Sequence, residues 1–224
     1  MKALKIIFFP LVIWYYLWKT CLIHMPGDVG IKLRYFIYRN KFKSCGKRVY
    51  IDAGVHISGF KYISLGSDIH IDKNSILAAG KANTGHQKIV TNETFSGESG
   101  EIIIGNHVHI VQQCILMGFG GIEIGSHCTL SAGTKVYSQS NLPYNPENKK
   151  EIVSIMPYNQ AHFIQSPVVL KDNVWIGLNC VLMPGTSIGE NSFAVSYSLI
   201  KDHFTSNSYL KGQPAVKIRN RFEK

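Results

Sequence analysis

The chain has 224 residues, of which 45% are hydrophobic and 17% charged, and a formal net charge of +10. This balance excludes a disordered or fibrous chain and leaves room for one folded body with an appendage. Ten Lys and Arg residues fall in residues 1–50 against the single acid Asp28, while the rest of the chain carries fourteen bases and thirteen acids. The basic character therefore belongs to the amino terminus. Five cysteines without a C-x-x-C pair exclude a disulfide framework and a structural zinc site, and point to a reducing compartment.

Residues 1–49 read as a membrane-surface segment in two parts. The apolar run Ile6–Trp18 is interrupted by Pro10 and flanked by Lys2, Lys5 and Lys19. A spanning helix needs ~20 apolar residues, whereas Trp14, Tyr15, Tyr16 and Trp18 are rings that prefer the headgroup level, so an interfacial or re-entrant segment is expected. Over residues 29–43, Ile31, Tyr35, Tyr38 and Phe42 form one helical stripe beside Lys32, Arg39 and Lys43, the pattern of a helix lying on anionic lipid. Each base near such a surface contributes about 1 kcal/mol, so residues 1–43 are expected to attach the chain peripherally. The bases are interleaved with bulky hydrophobes and form no patch elsewhere, which argues against nucleic acid as a partner. No small-x-small cleavage site follows Trp18, and the expected location is the cytoplasmic face of the membrane.

From about residue 50 an aliphatic residue recurs every six positions, often followed by Gly. The clearest units are LGSDIH (65–70), IDKNSI (71–76), IGNHVH (104–109), IGSHCT (124–129), LKDNVW (170–175), IGLNCV (176–181), LMPGTS (182–187) and IGENSF (188–193). The fourth position of a unit is Asp68, Asn74, His107, His127, Gly133, Asn173, Asn179, Gly185 or Asn191 along the chain, mostly residues that tolerate left-handed or turn backbone. Each unit is thus a short strand closed by a corner, and stacked units bury the aliphatic and small positions in a prism. Cys114, Cys128 and Cys180 share the small inward slot with Ser75, Thr134, Thr186 and Ser192, so they read as packing and not as nucleophiles. His107 and His127 read as structural turn residues.

With three units to a coil, the pairs Ile63-Ser64 and Ile122-Glu123 and the excursions 83–103 and 142–169 all fall between the second and third faces. Insertions stacked at one corner of a solenoid mark its binding side. The third face, expected beside that corner, carries His70, His109, Thr129 and Trp175 at its last outward position. The reading is an all-β prism over 50–202, with a carboxyl-terminal tail over 203–224.

These repeats resemble the left-handed parallel β-helix of the hexapeptide acyltransferases. The tail Lys211-Gly212-Gln213-Pro214-Ala215-Val216-Lys217-Ile218-Arg219 is similar to the G-x-P-A-x-x-I ending of the O-acetyltransferase branch. The basic, apolar amino terminus followed by Met25-Pro26-Gly27 resembles members that modify cell-surface polysaccharides or their lipid-linked precursors. The resemblance implies a homotrimer with acetyl-CoA in the cleft between adjacent prisms, and a glycan or lipid-linked sugar as acceptor. It further implies coenzyme contacts from Trp175, Ser196, Lys201, Lys217 and Arg219, although Ser196-Tyr197-Ser198 stands where the family usually has Ala-Gly-Ser.

Acyl transfer to a hydroxyl needs a positioned base. The family supplies a His at the start of the large excursion, where this chain has Asn141 or Leu142. His109, His86 and His162 are the possible replacements, with Asn141 the residue at the matching position. N-acylation of an amino-sugar nucleotide, and a catalytically silent trimeric scaffold, remain alternative functions. A zinc hydratase resembling the γ-class carbonic anhydrases would need three His ligands; His70, His107 and His109 are outward, but nothing fixes a third ligand beside His107 and His109, and no metal site is expected.

Overall fold

The computed structural model describes residues 2–81, 86–89, 94–142 and 162–222, with side chains over 12–81, 94–142 and 162–222. Two helices, α1 (Lys2–His24) and α2 (Gly27–Tyr38), precede a long series of short strands. α1 continues through Pro10 where the sequence suggested an interruption; proline lacks the N–H that would close one helical bond there. Among the described residues no helix is long and apolar enough to cross a membrane.

The strands stack into three parallel sheets that form the faces of a prism. The first sheet holds Ser44–Cys45, Ile63–Leu65, Ile102–Ile104, Ile122–Ile124, Val168–Leu170, Ser187–Ile188 and His203–Phe204. The second holds Val49–Ile51, Ile69–Ile71, His109–Ile110, Thr129–Leu130, Trp175–Ile176, Phe193–Ala194 and Ser208–Gly212, then Ala215–Asn220 running antiparallel. The third holds His56–Ser58, Ile76–Ala78, Ile115–Met117, Lys135–Tyr137, Val181–Leu182 and Leu199–Ile200. Strands pair from Ser44 through Asn220, so the prism runs several residues beyond 50–202 at each end.

Alternation turns every second residue of a strand inward. On the second sheet Ile51, Ile71, Ile110, Leu130, Ile176, Ala194 and Leu210 form a fully buried column. Burial of each large aliphatic contributes roughly 1.5–3 kcal/mol. All nine of the fourth-position residues named above have positive φ, from Asn179 at 51° to Gly185 at 87°. Cys114, Cys128 and Cys180 are buried; loss of solvent pushes the Cys114 thiol up to about 12 and Cys128 to about 11, and raises Cys180. Such thiols stay neutral and pack as small hydrophobes.

The stripe on α2 has a different role from the one its pattern suggested. Tyr38 and Phe42 are buried in the core, both rings against Phe60, and Tyr35 is half-buried against the same end. The apolar side of α2 therefore caps the first coil. Arg34, also counted among the amino-terminal bases, is fully buried. Its Nε donates to the Ile51 carbonyl at 2.7 Å, and Nη1 donates to the carbonyls of Leu22 at 2.9 Å and Met25 at 2.8 Å. The last carbonyls of a helix lack intrahelical donors, and Arg34 supplies them while tying both helices to the prism.

Candidate functional site

Both long connections, from Ala78 to Ile102 and from Tyr137 to Val168, join the third sheet to the first, while every connection from the second to the third sheet is four residues long. Strand segments from the two insertions build a small sheet at this corner. Gln139–Asn141 pairs antiparallel with His162–Gln165, which pairs in parallel with His86–Ile89. Its base is fastened by Gln165 Nε2, which donates to Gln139 Oε1 at 2.6 Å, and by Ser138 Oγ, which accepts from Gly120 N at 2.8 Å. Glu123 accepts from Ser96 N and Oγ at 2.8 and 2.9 Å and faces Lys171 at 3.6 Å, holding the end of the first insertion on the first sheet.

This sheet gathers three of the four candidate catalytic residues. His162 is in register with His86 on the neighbouring strand, although the His86 side chain lies outside the described residues. Asn141 pairs with Phe163, and the N–H of Leu142 donates to the His162 carbonyl at 2.8 Å. Position 142, one of the two where the resembled family carries its His, therefore sits directly across the ladder from His162. His162 is largely buried and Asn141 is exposed.

His109 is not part of this cluster. It lies on the second sheet with Nε2 2.8 Å from Asp72 Oδ2 and its ring 5.8 Å from His70. The expectation that His70, His109, Thr129 and Trp175 flank the insertion corner is corrected here. Each strand consists of the last residues of one six-residue unit and the first of the next, so the last outward position belongs to the following sheet. In a three-sided prism the second sheet faces away from the corner between the third and first.

The outward column of the second sheet is aromatic at its carboxyl-terminal end. Trp175 is half exposed and donates from Nε1 to Ser131 Oγ at 3.0 Å. It meets Phe193 edge-on at 5.3 Å, Phe193 lies 5.2 Å from Tyr209, and the Arg219 guanidinium sits 4.0 Å over the Tyr209 ring. Lys217, on the same strand as Arg219, reaches Thr205 Oγ1 at 3.4 Å. Trp175, Lys217 and Arg219 thus share one sheet. Ser196 lies at the corner between the second and third sheets, where its Oγ accepts from Leu178 N at 3.0 Å. Tyr197 follows in the positive-φ slot. Lys201 is exposed at the insertion corner, directly after Leu199–Ile200. Sequence reasoning missed Asp72, Ser131 and Tyr209 as partners of these groups; the six-residue phase, counted by sheet, brings each beside its neighbour. Among the described residues no three His, Cys, Asp or Glu side chains converge as metal ligands.

A family model described as the hexapeptide repeat of succinyl-transferase matches residues 101–138 and 167–193. The chain is 25% identical over 183 residues to the Escherichia coli dTDP-4-amino-4,6-dideoxy-D-glucose acyltransferase, covering 82% of this chain and 84% of that one. It is 22% identical over 125 residues to the putative colanic acid biosynthesis acetyltransferase WcaF of Escherichia coli K12, covering 55% and 60%. Among solved structures, a variant of AntD, an N-acyltransferase from Bacillus cereus in complex with dTDP and coenzyme A, superposes with a TM-score of 0.65 at 24% identity over 84% of this chain and 88% of that one. A hexapeptide-repeat acetyltransferase from Vibrio cholerae complexed with acetyl coenzyme A gives 0.58 at 21% identity over 91% and 84%. By its repeat, its prism and these likenesses, the chain is similar to the hexapeptide-repeat acyltransferases.

Proposed function

We propose that the protein transfers an acetyl group from acetyl-CoA to a hydroxyl of a glycan or lipid-linked sugar at the cytoplasmic face of a membrane, with His162 as the base. The observation that carries the assignment of the base is the bond between Leu142 and His162: the chain lacks the loop His of the family it resembles but has a His directly opposite that position. In this reading His162 takes the proton of the acceptor hydroxyl as its oxygen attacks the thioester carbonyl, and the tetrahedral adduct collapses with loss of the coenzyme thiolate. His86, in register beside it, orients the acceptor or shares the proton.

The candidate coenzyme groups Trp175, Lys217 and Arg219 belong to the second sheet and His162 to the opposite corner. One chain therefore cannot assemble both halves around one substrate. A homotrimer that sets the second sheet of one copy against the insertion corner of the next would complete the site, with acetyl-CoA in the cleft. Trp14, Tyr15, Tyr16 and Trp18 of α1, all exposed, support attachment to the membrane interface.

N-acylation of an amino-sugar nucleotide is the second reading, favoured by one observation: the relative aligned over most of this chain is an acyltransferase of a dTDP-amino sugar. An amine is nucleophilic without a base to deprotonate a hydroxyl, which makes a missing loop His less costly. Coenzyme A release from acetyl-CoA is measured with purified protein on a hydroxyl-bearing glycan, a lipid-linked sugar and a dTDP-amino sugar. Release on the first two supports O-acetylation, release confined to the third assigns N-acylation, and no binding of acetyl-CoA would leave the scaffold alternative.

A further inference from the structure

A cleft of about 600 Å³ opens between α1, α2 and the first two coils of the third sheet. Its size is that of a small-molecule site. Trp18, Ile37, Ile57 and Phe60 wall it with apolar surface. The fully charged side chains on its lining are Lys19 and Lys41, with His56 the one other basic group, and no carboxylate lines it. Lys41 Nζ lies 5.4 Å from the Tyr38 ring centre and 5.8 Å from that of Phe60, so its charge is held over the aromatic wall. Among the described residues neither lysine has an ion-pair partner.

An apolar cleft lined by two lysines and no carboxylate is complementary to a hydrocarbon chain that ends in an anion. The helix forming one wall also carries the exposed rings of Trp14 and Tyr16, so the cleft adjoins the part of α1 that would rest at headgroup level. We infer that this cleft holds the chain of a single-chain lipid phosphate, the chemistry of a lipid-linked sugar carrier, with its phosphate between Lys19 and Lys41. A two-chain phospholipid does not match a single chamber of this size. The inference rests on the membrane-surface, lipid-linked reading above and is independent of which histidine is the base.

The test uses the full chain with Trp14→Phe and Trp175→Phe, which leaves Trp18 in the cleft wall as the sole tryptophan. Dodecyl phosphate carrying bromine in its chain is titrated below its micelle concentration. The expected result is saturable quenching of Trp18, weakened at least tenfold by Lys19→Gln with Lys41→Gln and abolished by Ile57→Phe, which fills the chamber. Brominated dodecanol should quench at least tenfold more weakly, and inorganic phosphate not at all. Quenching that does not saturate, that is equal for the alcohol, or that is unchanged in the lysine variant overturns the proposal. So does stronger quenching by vesicles of brominated two-chain phosphatidylglycerol, or a change of oligomeric mass in the Ile57→Phe protein, which would assign the cleft to a second copy. Coenzyme A release on a soluble sugar and flotation with vesicles are read in parallel on the protein with all three tryptophans, with and without the Lys19→Gln and Lys41→Gln pair; if both persist while saturable quenching fails, the cleft proposal alone falls.

Discussion

The backbone N–H of Leu142 donates to the carbonyl of His162 at 2.8 Å, so the two residues face each other across an antiparallel ladder. Facing residues on such a ladder have Cβ atoms about 5 Å apart, a distance over which a base can be exchanged between strands. His162→Gln should lower kcat by ~10²- to 10⁴-fold while the thermal shift given by acetyl-CoA persists. Adding Leu142→His to that variant should recover at least about tenfold of the loss, which a merely structural role for His162 would not allow.

The separation of Trp175 from His162 predicts complementation between subunits. Trp175→Ala and His162→Gln should each be nearly inactive alone. Mixed by co-expression in equal amounts, they should recover about a quarter of wild-type activity, since in a closed ring with heterologous interfaces one pairing in four joins two intact halves. Activity that stays at the sum of the two variants would show that a single chain carries the whole site.

The repeat was legible because its signal is local: the residues that tolerate left-handed backbone stand at the corner slot, and all nine named adopt positive φ. The insertion corner was legible for the same reason, as a break in phase. Two features were not. The stripe of Tyr35, Tyr38 and Phe42 is apolar toward whatever it covers, and periodicity alone cannot distinguish lipid from the open end of a prism. The sheet that joins residues 86–89, 139–141 and 162–165 is made of non-local pairs inside irregular sequence, so His86 and His162 could be named from the chain while their register could not.

Base should unfold the protein through its buried thiols. Cys114 is pushed up to about 12 and Cys128 to about 11 from an ordinary value of 9.0, so the folded state keeps its protons where the unfolded chain releases them. Their contribution is fully present below pH 9 and is lost as pH rises from there toward 11 and 12. Between pH 8 and pH 10 the two together should remove about 3 kcal/mol. Cys114→Ser with Cys128→Ser, which uses a residue already found in this slot, should flatten that slope in urea titrations.

Arg34→Met should destabilise the helical cap more than the prism. The substitution leaves the carbonyls of Leu22, Met25 and Ile51 without their donor, and an unsatisfied buried acceptor costs about 1–3 kcal/mol. Proteolysis between residues 20 and 43 should accelerate at least about tenfold, by the conversion of 1.4 kcal/mol per decade, before the circular dichroism of the strands changes. Equal loss of both signals would mean that cap and prism unfold together.

Truncation can separate membrane attachment from folding only if it stops short of α2. Deleting residues 1–43 removes Tyr38 and Phe42 from the core along with Arg34, and should expose the first coil and cause aggregation. Deleting residues 1–18 keeps Leu22 and the carbonyls bound by Arg34 while removing the exposed rings of Trp14, Tyr15, Tyr16 and Trp18. The shorter deletion should leave the melting temperature and coenzyme A release on a soluble sugar near wild type. It should abolish flotation with anionic vesicles and activity on a lipid-linked sugar, because under the proposed function interfacial rings and nearby bases, worth about 1 kcal/mol per base, would hold the chain at the surface. Equal loss on soluble and lipid-linked acceptors would count against a membrane role for α1 and assign it to the stability of the prism.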